Sequence, residues 1–250
     1  MSRHSSRFFA SVLACAIGAA ALPASASAFT LTYEAPGVQN TTATFSAVGV
    51  ETFNERSVSN GQTFTSTFGS TGISATYSGV DIRSADEYGG AGGTGKFASA
   101  SYSDPYSVTF STPVDYFGYW LSALDAGNVV SFYNGSTLEA TFNAGTIFGS
   151  AVKGDSAYFG NPNTAYLKQD SAQPYAFVNF YDTTGTFNKV VFSESSPNDG
   201  DYESDNQTVG IYKSIGGTVI SVPEPSSWAL MSLGLVGLLG RRIRRRAAKA

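Results

Sequence analysis

The sequence predicts an all-β protein, a single antiparallel β-sandwich of jelly-roll-like type, set between an N-terminal signal peptide and a C-terminal transmembrane helix. Three observations predict it. Thr, Val, Phe and Tyr are abundant, and these residues favour strands. No long segment keeps the 3.6-residue apolar period of a helix. Short alternating runs recur with Gly, Asn and Pro between them, the pattern of a sandwich or barrel.

Residues 1–28 have the layout of a secretory signal peptide. Arg3 and Arg7 make a positive start, Phe8 to Leu22 is apolar, and Pro23 breaks the run. Ala24-Ser25-Ala26 and Ala26-Ser27-Ala28 are overlapping small-x-small sites, and the cut is placed after Ala28, so that Phe29 begins the mature chain. An uncleaved anchor is disfavoured because the apolar run is short for a span. Val12-Leu13-Ala14-Cys15 faintly resembles a lipobox, but apolar residues continue beyond it to Leu22.

Residues 29–221 form the predicted sandwich domain. Its first strands are Thr30–Tyr33, Ala43–Phe45 and Thr63–Thr65, joined by turns at Pro36-Gly37 and Asn60-Gly61. A glycine-dense loop follows, from Tyr88 to Lys96. Tyr106–Phe110 alternates as a strand, and Tyr116–Leu121 is almost unbroken aromatic sequence. Such a run is most simply a central strand buried on both faces; the sharper alternative is a sugar-stacking platform carried by Tyr119 and Trp120. Val129–Tyr133 and Ser136–Phe142 flank Asn134-Gly135, a strong type I′ hairpin signal. Tyr175–Phe180, Lys189–Ser193 and Thr208–Tyr212 complete the predicted strands.

Cys15 and His4 are the only cysteine and histidine, and both fall in the segment to be removed. The mature domain therefore excludes Ser-His-Asp and Cys-His catalysis, His- or Cys-ligated zinc, and a stabilising disulfide. The domain holds 18 acidic and 7 basic residues, a net charge of −11, against −4 for the whole chain. Nucleic acid and anionic lipid surfaces are thereby poor partners; cations and neutral polymers suit it better.

Gly90-x-x-x-x-Gly95-Lys96 nearly matches a phosphate-binding loop, but Phe97 stands where that motif needs a hydroxyl and no helical pattern follows. Asp199-Gly200-Asp201-Tyr202-Glu203-Ser204-Asp205-Asn206 is the best candidate for chemistry. Acids at alternate positions share one side of an extended segment, and hard oxygen ligands suit calcium. Asp201, Glu203, Asp205 and Asn206 are the candidate calcium ligands, beside the plainer reading of a solvated acidic loop. Asp125 and Asn128 are expected to cap their turn. Glycoside cleavage needs only two carboxylates at a set separation, so a polysaccharide hydrolase or lyase stays open, although no pair is marked and the expectation is a non-catalytic protein.

Residues 222–250 form a three-part tail. Val222-Pro223-Glu224-Pro225 (222–225) is locked extended by its prolines, which hold Glu224 accessible. A membrane helix is expected over 226–240. Its apolar core, Trp228 to Leu239, is 12 residues or about 18 Å, short of a ~30 Å hydrocarbon layer. Arg241, Arg242, Arg244, Arg245 and Arg246 (241–246) form a basic stop that the positive-inside rule places in the cytoplasm.

In this order, at the C-terminal end, the proline-locked motif, short apolar helix and arginine cluster resemble the PEP-CTERM sorting signal of Gram-negative bacteria. The resemblance implies that exosortase, a membrane-embedded cysteine protease, reads the Pro-Glu-Pro motif and cleaves the tail, sending the protein to the surface or the polysaccharide matrix. The domain is also similar to exosortase-dependent surface proteins of unknown activity, through Asp86–Gly95, Tyr116–Ala123, Phe159–Asn163 and Glu203–Asn206. That similarity brings no catalytic residue.

The expected partners are therefore signal peptidase and the secretion machinery, the inner membrane transiently, exosortase, and extracellular polysaccharide. The expected role is structural or adhesive, with a carbohydrate-binding module as the alternative.

Overall fold

The computed structural model describes residues 28–220 apart from residue 70; the expected signal-peptide body, sorting motif, membrane helix and basic stop lie outside the described residues. The described chain is all-β and antiparallel. In order it forms β1 (Phe29–Tyr33), β2 (Thr44–Glu51), β3 (Ser59–Ser66), β4 (Ala75–Ser84), β5 (Lys96–Ala100), β6 (Tyr106–Val114), β7 (Tyr116–Ser122), β8 (Asn128–Asn134), β9 (Thr137–Asn143), α1 (Ala144–Ala151), β10 (Ala176–Asp182), β11 (Phe187–Glu194), β12 (Tyr202–Ser214) and β13 (Thr218–Ile220). Among the described residues no helix is long and apolar enough to cross a membrane.

All thirteen strands belong to one hydrogen-bonded sheet, ordered β13-β1-β10-β7-β12-β5-β4-β6-β11-β8-β9, with β2 beside β12 and β3 beside β4. β5 is the link that lets this sheet fold over. It shares an edge of β12 with β2, pairing at Tyr202–Ser204 while β2 takes Gln207–Ser214. On its other side it pairs with Asp81–Ser84 of β4, whose Ala75–Ser78 pairs with β6. The two arms then face each other through aromatic rings. Phe29 of β1 meets Phe132 of β8 at 4.9 Å, Phe180 of β10 meets the same ring at 5.2 Å, and Tyr119 of β7 meets Phe192 of β11 at 5.1 Å. Burying rings of this size supplies most of the apolar driving force for the fold.

Both long strands contain a phase slip. In β4, Ala75 and Tyr77 are buried, then Val80 and Ile82, with Gly79 at φ +79° between the pairs. In β12, Tyr202 and Ser204 are buried on the core side, and the register against β7 shifts between Asp205 and Thr208, around Asn206 at φ +47°. These are bulges, which bend a strand and redirect its side chains. The turn expected at Asn60-Gly61 is likewise absorbed into β3, where Gly61 sits at φ +61° beside a register shift. The expected turn at Pro36-Gly37 occurs, with Gly37 at positive φ, but the hairpin expected at Asn134-Gly135 turns one residue later: Asn134 ends β8 paired with Thr137, and Gly135-Ser136 make the two-residue turn, with Gly135 at φ +60°, the glycine-first form rather than type I′.

β7 is the strand that positions the site. All seven of its residues are buried, as expected for a central strand. Gly118 is required there, because a Cβ would lie 2.2 Å from Tyr116 Oη and 2.8 Å from the Phe177 ring. The freed Tyr116 hydroxyl donates to Asn179 Oδ1 at 2.7 Å, and the Asn179 amide donates to Thr32 Oγ1 and Glu34 Oε1. Tyr119 faces the aromatic core, and Trp120 faces the other side with Ala123, Tyr175 and Phe177. The sugar-stacking expectation for these two residues is corrected: both are 0% exposed, so neither ring can meet a sugar.

Candidate functional site

The outer face of β7 and β12 is roofed by loops rather than by a second sheet. β12 pairs its Glu203 with Ser122 and its Asp205 with Trp120, so these four side chains share one face. Over them lies the glycine-rich loop, in which Gly90, Gly92, Gly93 and Gly95 all have positive φ. Asp205 Oδ2 accepts the Ala91 N–H at 2.7 Å, and its Oδ1 accepts the Asn206 N–H at 2.6 Å. The Asn206 amide donates to Gln39 O at 3.1 Å and Asn40 Oδ1 at 3.3 Å. Tyr175 Oη and Asn161 Nδ2 hold the other end of the loop through the Glu87 carbonyl, at 2.7 and 2.9 Å.

The four expected calcium ligands are thus divided. Asp205 engages both carboxyl oxygens with backbone donors, and Asn206 engages its amide N–H groups with Gln39 O and Asn40 Oδ1, so both anchor loops. Asp201 and Glu203 instead line a cavity of about 300 Å³ together with Tyr88, Asp125 and Gln173. Glu194 and Asp199 stand beside it. A Cβ built on Gly127 would lie 2.4 Å from Glu194 Oε2 and 2.8 Å from Asp199 Oδ2, and one on Gly200 would lie 2.7 Å from Asp125 Oδ2. Among the described residues no three His, Cys, Asp or Glu side chains lie close enough to share one metal ion.

The electrostatics of this region are those of crowded acids. Burial pushes Glu194 up to about 7, against the hydrogen bond from Asn128 and helped by the charges of Asp125, Asp199 and Asp201. Burial raises Glu203 well above the usual carboxyl range, with Asp201 the next cause. Asp125 is raised by burial, opposed by the hydrogen bond from Gln173. Asp205 rises to about 7 through burial, against the two backbone donors that hold it. Arg83 reaches the group only at its edge, 3.8 Å from Asp201 and 3.0 Å from Asp81.

Tyr88, Gln173, Glu194 and Asp199 were not singled out as individual site residues by the sequence. The turn-capping reading holds for Asn128, whose Oδ1 accepts the Asp125 N–H at 2.9 Å, whereas the Asp125 carboxylate accepts from Gln173 Nε2 instead. Asp125 has the additional role of a cavity wall, which no local motif announces.

Residues 221–246 match the family model for the PEP-CTERM protein-sorting motif. The chain carries a PEP-CTERM sorting signal. The matched segment takes in Val222-Pro223-Glu224-Pro225, the apolar run and the arginine cluster, in the order the sequence resemblance required. The signal makes exosortase the processing partner and directs the protein through the membrane toward the cell surface. No curated protein and no solved structure matches the chain.

Proposed function

We propose that this is an exported, non-catalytic protein of the cell surface or extracellular matrix, anchored briefly in the inner membrane and released by exosortase into a polysaccharide-rich setting. The sorting-signal match over residues 221–246 carries this reading. A cleavable leader over residues 1–28 and a folded-over, jelly-roll-like sandwich fit an exported domain without thiols, and its net charge of −11 argues against nucleic acid as a partner. The test is the intact mass of the protein recovered from cells with and without exosortase. A shorter C-terminus in the presence of the enzyme is expected, and identical C-termini would overturn the sorting claim.

Carbohydrate binding is the second reading. It moves from Tyr119 and Trp120 to the acid-lined cavity, where Tyr88 supplies an exposed ring. Carboxyls in different protonation states also suit glycoside cleavage. The non-catalytic reading therefore predicts no new reducing or unsaturated ends when the protein is incubated with its own producer's polysaccharide; their appearance would make it an enzyme.

A further inference from the structure

β13 (Thr218–Ile220) is the shortest strand of the described sheet and the only one with no buried side chain. It pairs with β1 alone, and among the described residues nothing pairs with its outer edge. Val219 is 61% exposed. Only Ile220 packs on the core, beside its register partner Leu31. Few buried contacts hold such an edge strand, so it opens far more readily than the strands of the core.

The chain just before β13 is held quite differently. Thr32 Oγ1 donates to Gly216 O at 2.6 Å, Gly216 N–H donates to Tyr181 Oη at 3.1 Å, and Gly217 N–H donates to Thr42 Oγ1 at 3.1 Å. Thr32 and Tyr181 are both 0% exposed. Gly216 admits no side chain, since a Cβ would lie 2.3 Å from Ala43 N, and Gly217 sits at φ +77°. The secure end of the fold is this glycine clamp, and β13 is a short extension beyond it.

The sorting-signal match begins at the residue after Ile220, and Glu224 follows Ile220 by four residues. Four residues span at most about 14 Å when fully extended. A protease holds an extended, unpaired segment on both sides of what it reads, so cleavage of a folded protein runs through a locally opened chain. With β13 in place, that segment would start against β1 and α1, whose Tyr33 and Ile147 line one groove with Ile220. Release of β13 moves the fixed point back to Gly217, seven residues from Glu224, and raises the reach to about 25 Å.

We infer that β13 is a detachable strand and part of what exosortase takes up: Thr218, Val219 and Ile220 leave β1 and enter the protease together with Val222-Pro223-Glu224-Pro225, while the Gly216-Gly217 clamp keeps the sheet closed. The inference rests on the exosortase reading above and adds the upstream residues that processing requires.

The experiment locks β13 in place. Leu31 and Ile220 are direct register partners, a separation that a disulfide spans, and the predicted mature domain has no cysteine of its own. Leu31→Cys with Ile220→Cys is introduced into the full chain, and processing in cells that make exosortase is followed by intact mass, with and without a thiol reductant. The bridged chain should keep its tail, and the reduced one should lose it. A short Gly-Ser linker inserted after Ile220 should restore cleavage of the bridged chain, because it supplies the reach that β13 otherwise provides. Inserted into the natural chain, the same linker should speed processing. Cleavage of the bridged chain at the rate of the reduced one overturns the inference, as does a block that the linker fails to relieve. If the cysteine variant does not fold, an unchanged rate for the natural chain with the linker overturns it alone. A natural chain that keeps its tail in the presence of exosortase overturns the sorting reading instead.

Discussion

Asp205 accepts the backbone N–H of Ala91 at 2.7 Å, so a strand side chain fixes the glycine-rich loop that lies over it. This contact spans 114 residues of chain and closes the roof beside the acid-lined cavity. Asp205→Ala would leave the Ala91 and Asn206 donors without their acceptor in a largely dry place. A loss of about 2–3 kcal/mol is expected, the cost of stranding buried donors of a charge-assisted bond. Asp205→Asn keeps an acceptor and should lose less. Denaturant unfolding of both variants checks this; equal losses would mean that the carboxylate is not the anchor.

Tyr119 and Tyr202 join hydroxyls inside the aromatic core, each ring fully buried. Removing one hydroxyl strands the other, so Tyr119→Phe should cost about 1–3 kcal/mol. Tyr119→Phe with Tyr202→Phe removes both and should recover most of that loss, a coupling visible in a double-mutant cycle. Additive losses would show that the two hydroxyls do not depend on each other.

The overlapping cleavage sites make different predictions for the mature end. Ala28 donates its N–H to Thr184 Oγ1 at 2.9 Å, and its carbonyl accepts from Thr183 N and Oγ1 at 2.9 and 2.7 Å. A cut after Ala28 removes that residue from the fold; a cut after Ala26 keeps it at the head of β1. Signal peptidase cuts before the domain folds, so the small-x-small pattern sets the site, and N-terminal sequencing of the exported protein should begin at Phe29. A start at Ser27 would show that the upstream site is used and that Ala28 keeps these bonds in the mature fold.

Much of the fold was legible where alternation runs unbroken. Tyr106–Phe110 and Tyr116–Leu121 appear where composition placed them, and the hairpin expected at Asn134-Gly135 forms one residue later, at Gly135-Ser136. β4 was missed because Gly79 shifts its buried phase by one, which erases a period of two when read along the chain. β5, Lys-Phe-Ala-Ser-Ala, has almost none of the branched or aromatic residues that mark a strand, and only its neighbours β4 and β12 define it. The acidic segment at 199–206 was legible as chemistry, but its division was not. Asp205 and Glu203 share one face of β12, but Asp205 lies under the glycine loop and accepts its Ala91 N–H, while Glu203 reaches a cavity wall whose other members include Tyr88, Asp125 and Gln173. Residues so far apart in sequence are assembled only by strand order.

The crowded acids give the domain a signed pH dependence. Glu194 moves from an ordinary value of 4.5 to about 7 in the fold, and Asp205 from 3.8 to about 7, each chiefly through burial. A carboxyl whose folded pKa is raised holds its proton more tightly in the folded state than in the unfolded chain. Its unfavourable burial is absent below the unfolded pKa, grows as pH rises toward the folded pKa, and is complete above it. The melting temperature should therefore fall between about pH 4 and pH 7. Glu194→Gln removes one titrating carboxyl while keeping an acceptor for Asn128, so its melting curve should fall less steeply across the same interval. The net charge of −11 adds a general acid–base background common to both proteins, so the difference between the two slopes is the quantity to measure. Parallel slopes would mean that Glu194 is ionised throughout, and that the fold or a bound cation already compensates its charge.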